Sequence, residues 1–304
     1  MTRIGLIGFG EIARKRHLPA ITANAAFELA AIADPHGDSS GLDVPGFTSH
    51  VEMLSAIPDL DAAAICTPPR ARTRVALDAI AAGVHVLIEK PPTSTVAESL
   101  LLRDAAERAG RVLFASWHSQ YNEAVDRMRE ILAGEIVDRV SIIWEENFEK
   151  YHPGQDWIWR RGGFGVFDMA INGLSILTRI LPQRAYAREC DLVFRDGEDT
   201  PIAARVKFGI GDRADGSGEA EFDWRAADDR REITVTTRRG KTLRLLDSGR
   251  RLLAGNDEVA AGASAEYPVM YERFAELLRA RRSDVDLEPL ILACDSLQIG
   301  RRAL

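Results

Sequence analysis

The chain has 304 residues, enough for two domains with substantial cores, and its 46% hydrophobic and 28% charged residues are the balance of an ordinary globular protein. Lys and Arg number 39 against 46 Asp and Glu, a formal charge of −7, which argues against a nucleic-acid partner needing a basic face. No apolar run approaches the length of a membrane span, and the first residues lead straight into a strand pattern, so neither a membrane segment nor a secretory leader is expected. Cys66, Cys190 and Cys294 lie far apart with no metal-type spacing, which fits a reduced, cytoplasmic protein and predicts no metal site.

In chain order, a short apolar strand near 3–8 runs into Gly8-Phe9-Gly10-Glu11-Ile12-Ala13, a turn of the form Gly-x-Gly-x-x-Ala that opens a helix near 11–23. Gly8 allows the tight turn, Gly10 has no side chain to hold a pyrophosphate away, and Ala13 lets helix and strand pack closely. Phosphates then meet free N–H groups and the dipole at a helix N-terminus. A second strand, near 27–33, ends in Asp34, which lies 21 residues beyond Ala13. That is close to the spacing of about 20 for the acid that holds an adenosine ribose. Together these features predict a dinucleotide-binding turn. The basic run Arg14-Lys15-Arg16-His17 reads chiefly as a solvated helix face.

Strands near 62–66, 84–88 and 111–115 alternate with helices near 49–57, 70–82 and 95–109. Runs such as Ala62-Ala63-Ala64-Ile65 lack polar alternation, as expected of a parallel sheet covered on both faces. Ligands in such sheets bind beyond the strands' carboxyl ends. The residues there are Gly8, Gly10, Glu11 and Ile12, then Asp34, then Cys66-Thr67-Pro68, then Glu89-Lys90-Pro91, then Ser116-Trp117-His118.

The pattern changes after residue 120. A helix near 120–133 leads to a strand at Val140–Glu149, an aromatic segment at Tyr151–Phe164 and a helix at Phe167–Leu181. Strands follow near 186–195, 201–209, 218–224, 231–237, 241–247 and 250–254, separated by turns such as Asp212–Gly218, which predicts an antiparallel sheet. Helices near 266–281 and 289–303 close the chain. The fold expected is an α/β Rossmann dinucleotide-binding domain over 1–120, followed over 121–304 by an α+β domain with a large, mostly antiparallel open sheet. The second domain is expected to bind substrate and to carry oligomer contacts, with a C-terminal helix free to return to the first.

With Glu89-Lys90-Pro91 after the fourth strand, the whole chain resembles the glucose–fructose oxidoreductase and inositol dehydrogenase family. The resemblance implies a nicotinamide cofactor held by Gly8, Gly10, Glu11, Ile12, Asp34, Cys66, Thr67, Pro68, Glu89 and Lys90, with Lys90 also reaching the reacting sugar carbon. Ala115-Ser116-Trp117-His118-Ser119, Tyr151-His152-Pro153-Gly154-Gln155-Asp156-Trp157-Ile158-Trp159 and Gly165-Val166-Phe167-Asp168-Met169-Ala170-Ile171-Asn172 are similar to the bacterial L-arabinose and D-galactose 1-dehydrogenases of that family. These oxidise C1 of an aldose to a lactone. The resemblance sets Asp168 and Asn172 beside the reacting hydroxyl and gives His118, Glu146 and His152 the other sugar hydroxyls. A homodimer through the open sheet face is a family-level expectation.

From the residues alone, Asp168 and Asn172 sit four apart at a helix start and share a face, although a carboxylate there can equally be only a cap. Gly162, Gly163 and Gly165 before them would let a ligand approach the backbone. His118 and His152 on their own read as half-buried histidines, and Trp144, Trp157 and Trp159 as core or as the floor of a sugar site. Many relatives carry Asp-x-x-x-His where this chain has Asn172, which cannot act as a base near neutral pH. The base is therefore Asp168 or Lys90, with Asp168 favoured. Asn172 counts against a cyclitol or inositol dehydrogenase, and Lys90 with Asp168 counts against a non-catalytic dinucleotide-binding regulator. Asp34 followed by Pro35 favours NAD and repels the extra phosphate of NADP, with some NADP use left open if His36, Arg70 or Arg72 turns toward the ribose.

Overall fold

The uninterrupted apolar runs of the first half become parallel strands: β1 (Thr2–Ile7), β2 (Phe27–Ala33), β3 (Gly46–Phe47), β4 (Ala62–Ile65), β5 (His85–Glu89) and β6 (Leu113–Ser116). The computed structural model describes residues 1–36, 41–212, 216–263 and 265–303, which fall into two compact units. One comprises residues 1–118 and 267–287, the other 119–266 and 288–304.

In the first unit the sheet order is β3-β2-β1-β4-β5-β6, every pairing parallel. This is the doubly wound order, and the strand sequence reverses between β1 and β4, where such sheets bind ligands. The connecting helices are α1 (Leu18–Ala23), α2 (His50–Ala56), α3 (Pro69–Ala81) and α4 (Val96–Ala109). α4 begins with a full capping box between Thr95 and Glu98 and ends at Gly110. The helix expected over 11–23 departs from regularity. Ala13–His17 forms a π turn before α1, and the change coincides with Pro19, which has no N–H to give the turn before it.

The second unit runs through α5 (Glu123–Leu132), β7 (Val137–Asn147), α6 (Phe148–Tyr151) and α7 (Phe167–Ile180). Then come β8 (Ala185–Phe194), β9 (Pro201–Ile210), β10 (Ser217–Asp223), β11 (Arg225–Thr237), β12 (Thr242–Leu246), β13 (Arg251–Ala254) and β14 (Asp257–Ala261). α8 (Glu266–Ala280) returns to the first unit, where the Phe274 ring stacks on Phe27 and Phe114 with centroids 5.8 and 5.9 Å away. α9 (Glu288–Ile299) and β15 (Arg301–Arg302) belong to the second unit. Among the described residues its sheet has nine strands in the order β14-β13-β12-β11-β7-β10-β9-β8-β15. The pairing is antiparallel except for β7 with β10 and β8 with β15.

Two sequence expectations shift, and a third falls partly outside the described residues. β11 begins at Arg225 rather than near 231, because pairing with β7 draws the polar run Arg225–Arg230 into the sheet across a register break. The last helix stops before Gly300, and Arg301–Arg302 pairs with β8 instead of continuing the helix to 303. Of the turn expected at Asp212–Gly218, residues 213–215 lie outside the described residues. No helix among the described residues is long and apolar enough to cross a membrane.

β7 alternates, placing Val140, Ile142, Trp144 and Glu146 on one buried face. α7 packs on it and is buried nearly all round. Its Gly173 makes that approach possible, because a Cβ there would lie 2.8 Å from Cε3 of the buried Trp144 ring. Gly173→Ala gains about 1 kcal/mol of helix propensity, and overpacking a rigid ring costs about 1–3 kcal/mol. Thermal melting should therefore show a lower Tm for Gly173→Ala, and an unchanged or higher Tm would contradict this close packing.

Candidate active site

At the point where the strand order of the first unit reverses, Gly8 has φ of +87°, and a Cβ on it would lie 2.8 Å from Thr67 N. Any side chain here is both strained and blocked by backbone. Gly10 is the reverse case: nothing lies within 4 Å of where its Cβ would be. The turn thus offers open backbone beside a helix start, which fits a pyrophosphate. Asp34, at the end of β2, accepts from Phe9 N–H through Oδ2 at 2.8 Å and from His36 N–H through Oδ1 at 3.1 Å. The carboxylate is thereby tied to the glycine turn. Cys66, Thr67 and Pro68 follow β4 beside Gly8, while Glu11 and Ile12 are exposed in the first turn after Gly10.

Glu89, the last residue of β5, is 2% exposed, and its carboxylate is fully engaged within the unit. Oε1 accepts from Tyr267 OH at 2.9 Å and lies 3.0 Å from His17 Nε2, and Oε2 accepts from Lys90 N–H at 2.7 Å. His17 is completely buried, with Nδ1 2.8 Å from Tyr271 OH. Burial alone would raise the Glu89 pKa, but the hydrogen bond and charge of His17, with His118 and Arg72 nearby, hold it well below the usual carboxylate range. Burial alone would lower that of His17, yet its surroundings of Cys66, Tyr271 and Glu89 raise it well above 6.5. Burial pushes Tyr271 up to about 12. Both shifts run in the direction of a carboxylate facing an imidazolium.

Arg72 is 5% exposed. Its Nε donates to Thr67 O at 2.6 Å, and one terminal nitrogen donates to Glu89 O at 2.7 Å and to Pro91 O. It therefore cannot turn toward a ribose, and of the three cations considered for that role only His36 and Arg70 are exposed. Lys90 is half-buried beyond β5. His118 follows β6 and stacks on Tyr267 with centroids 5.1 Å apart.

In the second unit Glu146 continues the apolar row of β7 and is 5% exposed. Its Oε1 accepts from Trp144 Nε1 at 2.9 Å and pairs with Arg231 Nε at 2.8 Å. Arg231 also reaches Ser248 Oγ at 3.3 Å and lies over the Tyr151 ring. Asp168, in the first turn of α7, is 4% exposed and has His152 Nε2 4.0 Å from its Oδ2. His152 is oriented by Gln155 Oε1 at 3.3 Å and packs against Phe148 and Trp224. Asn172 is half-buried one turn after Asp168, and Trp157 is half-buried. Trp144 and Trp159 are core. Gly163 and Gly165 are required by packing within the unit: Cβ atoms on them would collide with the carbonyls of Ile158 and Pro201.

A cavity of about 590 Å³ in this unit is lined instead by Glu145, Arg205, Glu221, Phe222, Asp223 and Arg225, whose neighbour on β7, Glu146, points to the opposite face. Two further polar groups escaped the sequence reading. His17 belongs by sequence to a solvated basic run, although Ala13, His17, Ala20 and Ile21 share the spacing of one buried stripe. Arg231 sits on a strand too polar to mark it.

Residues 2–116 match the model of an oxidoreductase family with an NAD-binding Rossmann fold. Galactose 1-dehydrogenase from Pseudomonas fluorescens is 37% identical over 302 residues, covering 99% of this chain and 96% of that protein. A solved structure of a D-galactose-1-dehydrogenase protein from Rhizobium etli superposes with a TM-score of 0.91 at 40% identity, covering 100% of this chain and 97% of that one. A 3-ketoreductase from Actinomadura kijaniata, solved with NADP, shares the fold with a TM-score of 0.84 at 16% identity over 99% of this chain and 98% of that one.

The buried pair sets a pH dependence. A raised His17 pKa contributes stability that is complete below 6.5 and lost as pH rises through the native value. A depressed Glu89 pKa contributes stability that is complete above 4.5 and lost only as acid titrates the native group. The Tm difference between wild type and His17→Gln should therefore be largest near about pH 6 and shrink toward about pH 9. A difference that stays constant over that range would contradict the charged pair.

Proposed function

The chain belongs to the glucose–fructose oxidoreductase, inositol dehydrogenase and MocA family of oxidoreductases with an NAD-binding Rossmann fold, and on that premise we propose that it is an NAD(P)-dependent aldose 1-dehydrogenase. The substrate is D-galactose, L-arabinose or a close stereochemical relative, and the product is the aldonolactone. The observation that carries this reading is the extent of the likeness to galactose 1-dehydrogenase, which runs through both units. A cytoplasmic homodimer belongs to the same reading.

The glycine turn at Gly8 and Gly10, with Asp34, would hold a nicotinamide dinucleotide, which would supply the acceptor for hydride from C1. Asp168 is the base for the C1 hydroxyl proton. Its burial lets a small charge movement act strongly, and His152 is close enough to respond to that movement. Asn172, which cannot take a proton, holds the hydroxyl in line. Lys90 stabilises the negative charge developing on O1. Glu146, fixed by Trp144 and Arg231, accepts from the ring hydroxyls, with His152 and His118 as further polar contacts and Trp157 as an apolar one. Turnover with a panel of aldoses and NAD tests the assignment directly, and inactivity toward every aldose would remove it.

Lys90→Met and Asp168→Ala should each lower kcat by roughly a hundredfold or more, the scale of lost acid–base or charge stabilisation, with little change in NAD affinity. Near-normal kcat in both variants would remove this mechanism.

Asp34 can accept both ribose hydroxyls of NAD and repels a 2′-phosphate, while Pro35 supplies no cation. The wild type should thus prefer NAD. Asp34→Ser together with Pro35→Arg keeps an oxygen for Phe9 N–H and adds a phosphate partner. Comparison of kcat/KM with the two cofactors should show a move toward NADP of roughly ten- to a hundredfold, or about 1.4–2.7 kcal/mol. A wild type that already prefers NADP would contradict this role for Asp34.

A further inference from the structure

Lys90 is flanked on both sides by main chain that the rest of the first unit holds from within. Its own N–H is fixed by Glu89 Oε2 at 2.7 Å. The other carboxylate oxygen is held by His17, from the turn after the glycine motif, and by Tyr267, from α8. The carbonyls of Glu89 and Pro91, on either side of Lys90, are both held by Arg72 from α3. The same guanidinium takes Thr67 O at 2.6 Å, so the loops after β4 and β5 share one fastening. His17, Glu89, Arg72, Tyr267 and Tyr271 are each 5% exposed or less. Burying an ion pair is a poor way to gain stability, since desolvation offsets most of the attraction. It is an effective way to fix an orientation, because any displaced partner is left as an uncompensated charge.

We propose that His17, Glu89 and Tyr267, with Arg72, are positioning residues for Lys90, setting where its ammonium stands by immobilising the main chain on both sides of it. The proposal rests on the reading that Lys90 acts on the substrate. The Glu89 carboxylate, implied by the family resemblance as a cofactor contact, is occupied by His17, Tyr267 and the Lys90 amide, and the effect of these residues passes through Lys90. A misplacement of about 1 Å at a reacting group can cost on the order of a hundredfold in rate while leaving binding nearly intact.

The test uses the full-length protein with two variants of graded severity. His17→Gln removes the charge, and Tyr267→Phe removes one hydroxyl while keeping the ring. NADH fluorescence titration gives the Kd and the number of binding sites, so that kcat is expressed per competent site. A merely structural role would lower the number of sites and leave kcat per site unchanged. Positioning predicts NADH Kd and sugar KM within about threefold of wild type, with kcat per site down by about 10- to 100-fold in His17→Gln and about 3- to 10-fold in Tyr267→Phe. In a Lys90→Met background, adding either substitution should lower kcat no further, because the residue through which it acts is gone.

Undiminished kcat per site in Tyr267→Phe and in whatever His17→Gln folds would overturn the proposal, as would an equal further loss in the Lys90→Met background. Tyr267→Phe carries the test if His17→Gln does not fold. Lys90→Met alone separates the two levels. Its inactivity beside active positioning variants sinks only the positioning role, whereas its full activity sinks the catalytic reading of Lys90 and this proposal with it.

Discussion

A carboxylate removed from water has to be given donors for both oxygens, and at Glu89 that requirement gathers distant parts of the chain. His17 comes from the turn after β1, Tyr267 from α8, and the Lys90 amide from the next residue. Tyr271, also on α8, completes the set through His17 across a separation of 254 residues. The side-chain donors are themselves buried, so each must be satisfied in turn, and the network ends only when the tyrosine hydroxyls and the imidazole are paired. This polar requirement is one reason that residues 267–287 pack with the Rossmann sheet, and the stacking of Phe274 between Phe27 and Phe114 is the apolar one. The dinucleotide turn and the Glu89-Lys90-Pro91 loop consequently share a single rigid support.

The second unit meets the same problem with different means. The alternation of β7 carries a carboxylate, Glu146, into a row otherwise made of Val140, Ile142 and Trp144. The Trp144 indole and the Arg231 guanidinium answer it. On α7, a helix apolar on nearly every side, Asp168 has His152 as its neighbour at 4.0 Å. Both carboxylates are therefore polar groups set in apolar framework, where charge interactions are stronger than in water and geometry is held by packing.

Much of the fold was legible because its signals are local. The Gly-x-Gly-x-x-Ala turn, Asp34 and the unalternating runs of β1, β4 and β5 each declare themselves within a few residues, and the parallel doubly wound sheet follows. Strands separated by Gly- and Asp-rich turns likewise indicated a mostly antiparallel second sheet. What stayed hidden depends on contacts between distant segments. The parallel pairing of β7 with β10 has no local signature, and Arg225–Arg230 becomes strand only because β7 offers an edge. Among the polar groups, His17 looked solvated beside Arg14, Lys15 and Arg16, although its spacing from Ala13 and Ala20 placed it on the buried stripe. Arg72 looked mobile until its carbonyl partners, 5 to 19 residues away, were known. Gly163 and Gly165 are visible as glycines, but the reason for them, the carbonyls of Ile158 and Pro201, lies in the tertiary structure.

The central claim is that hydride leaves C1 of an aldose and passes to the nicotinamide. It is tested most directly by incubating the protein and NAD with D-galactose, and in parallel L-arabinose, deuterated at C1. Proton NMR of the isolated coenzyme and of the sugar product then locates the label. The account predicts one deuterium at C4 of the reduced nicotinamide and a lactone without deuterium at C1. Turnover that leaves the deuterium on the sugar, with oxidation at another carbon, would contradict it.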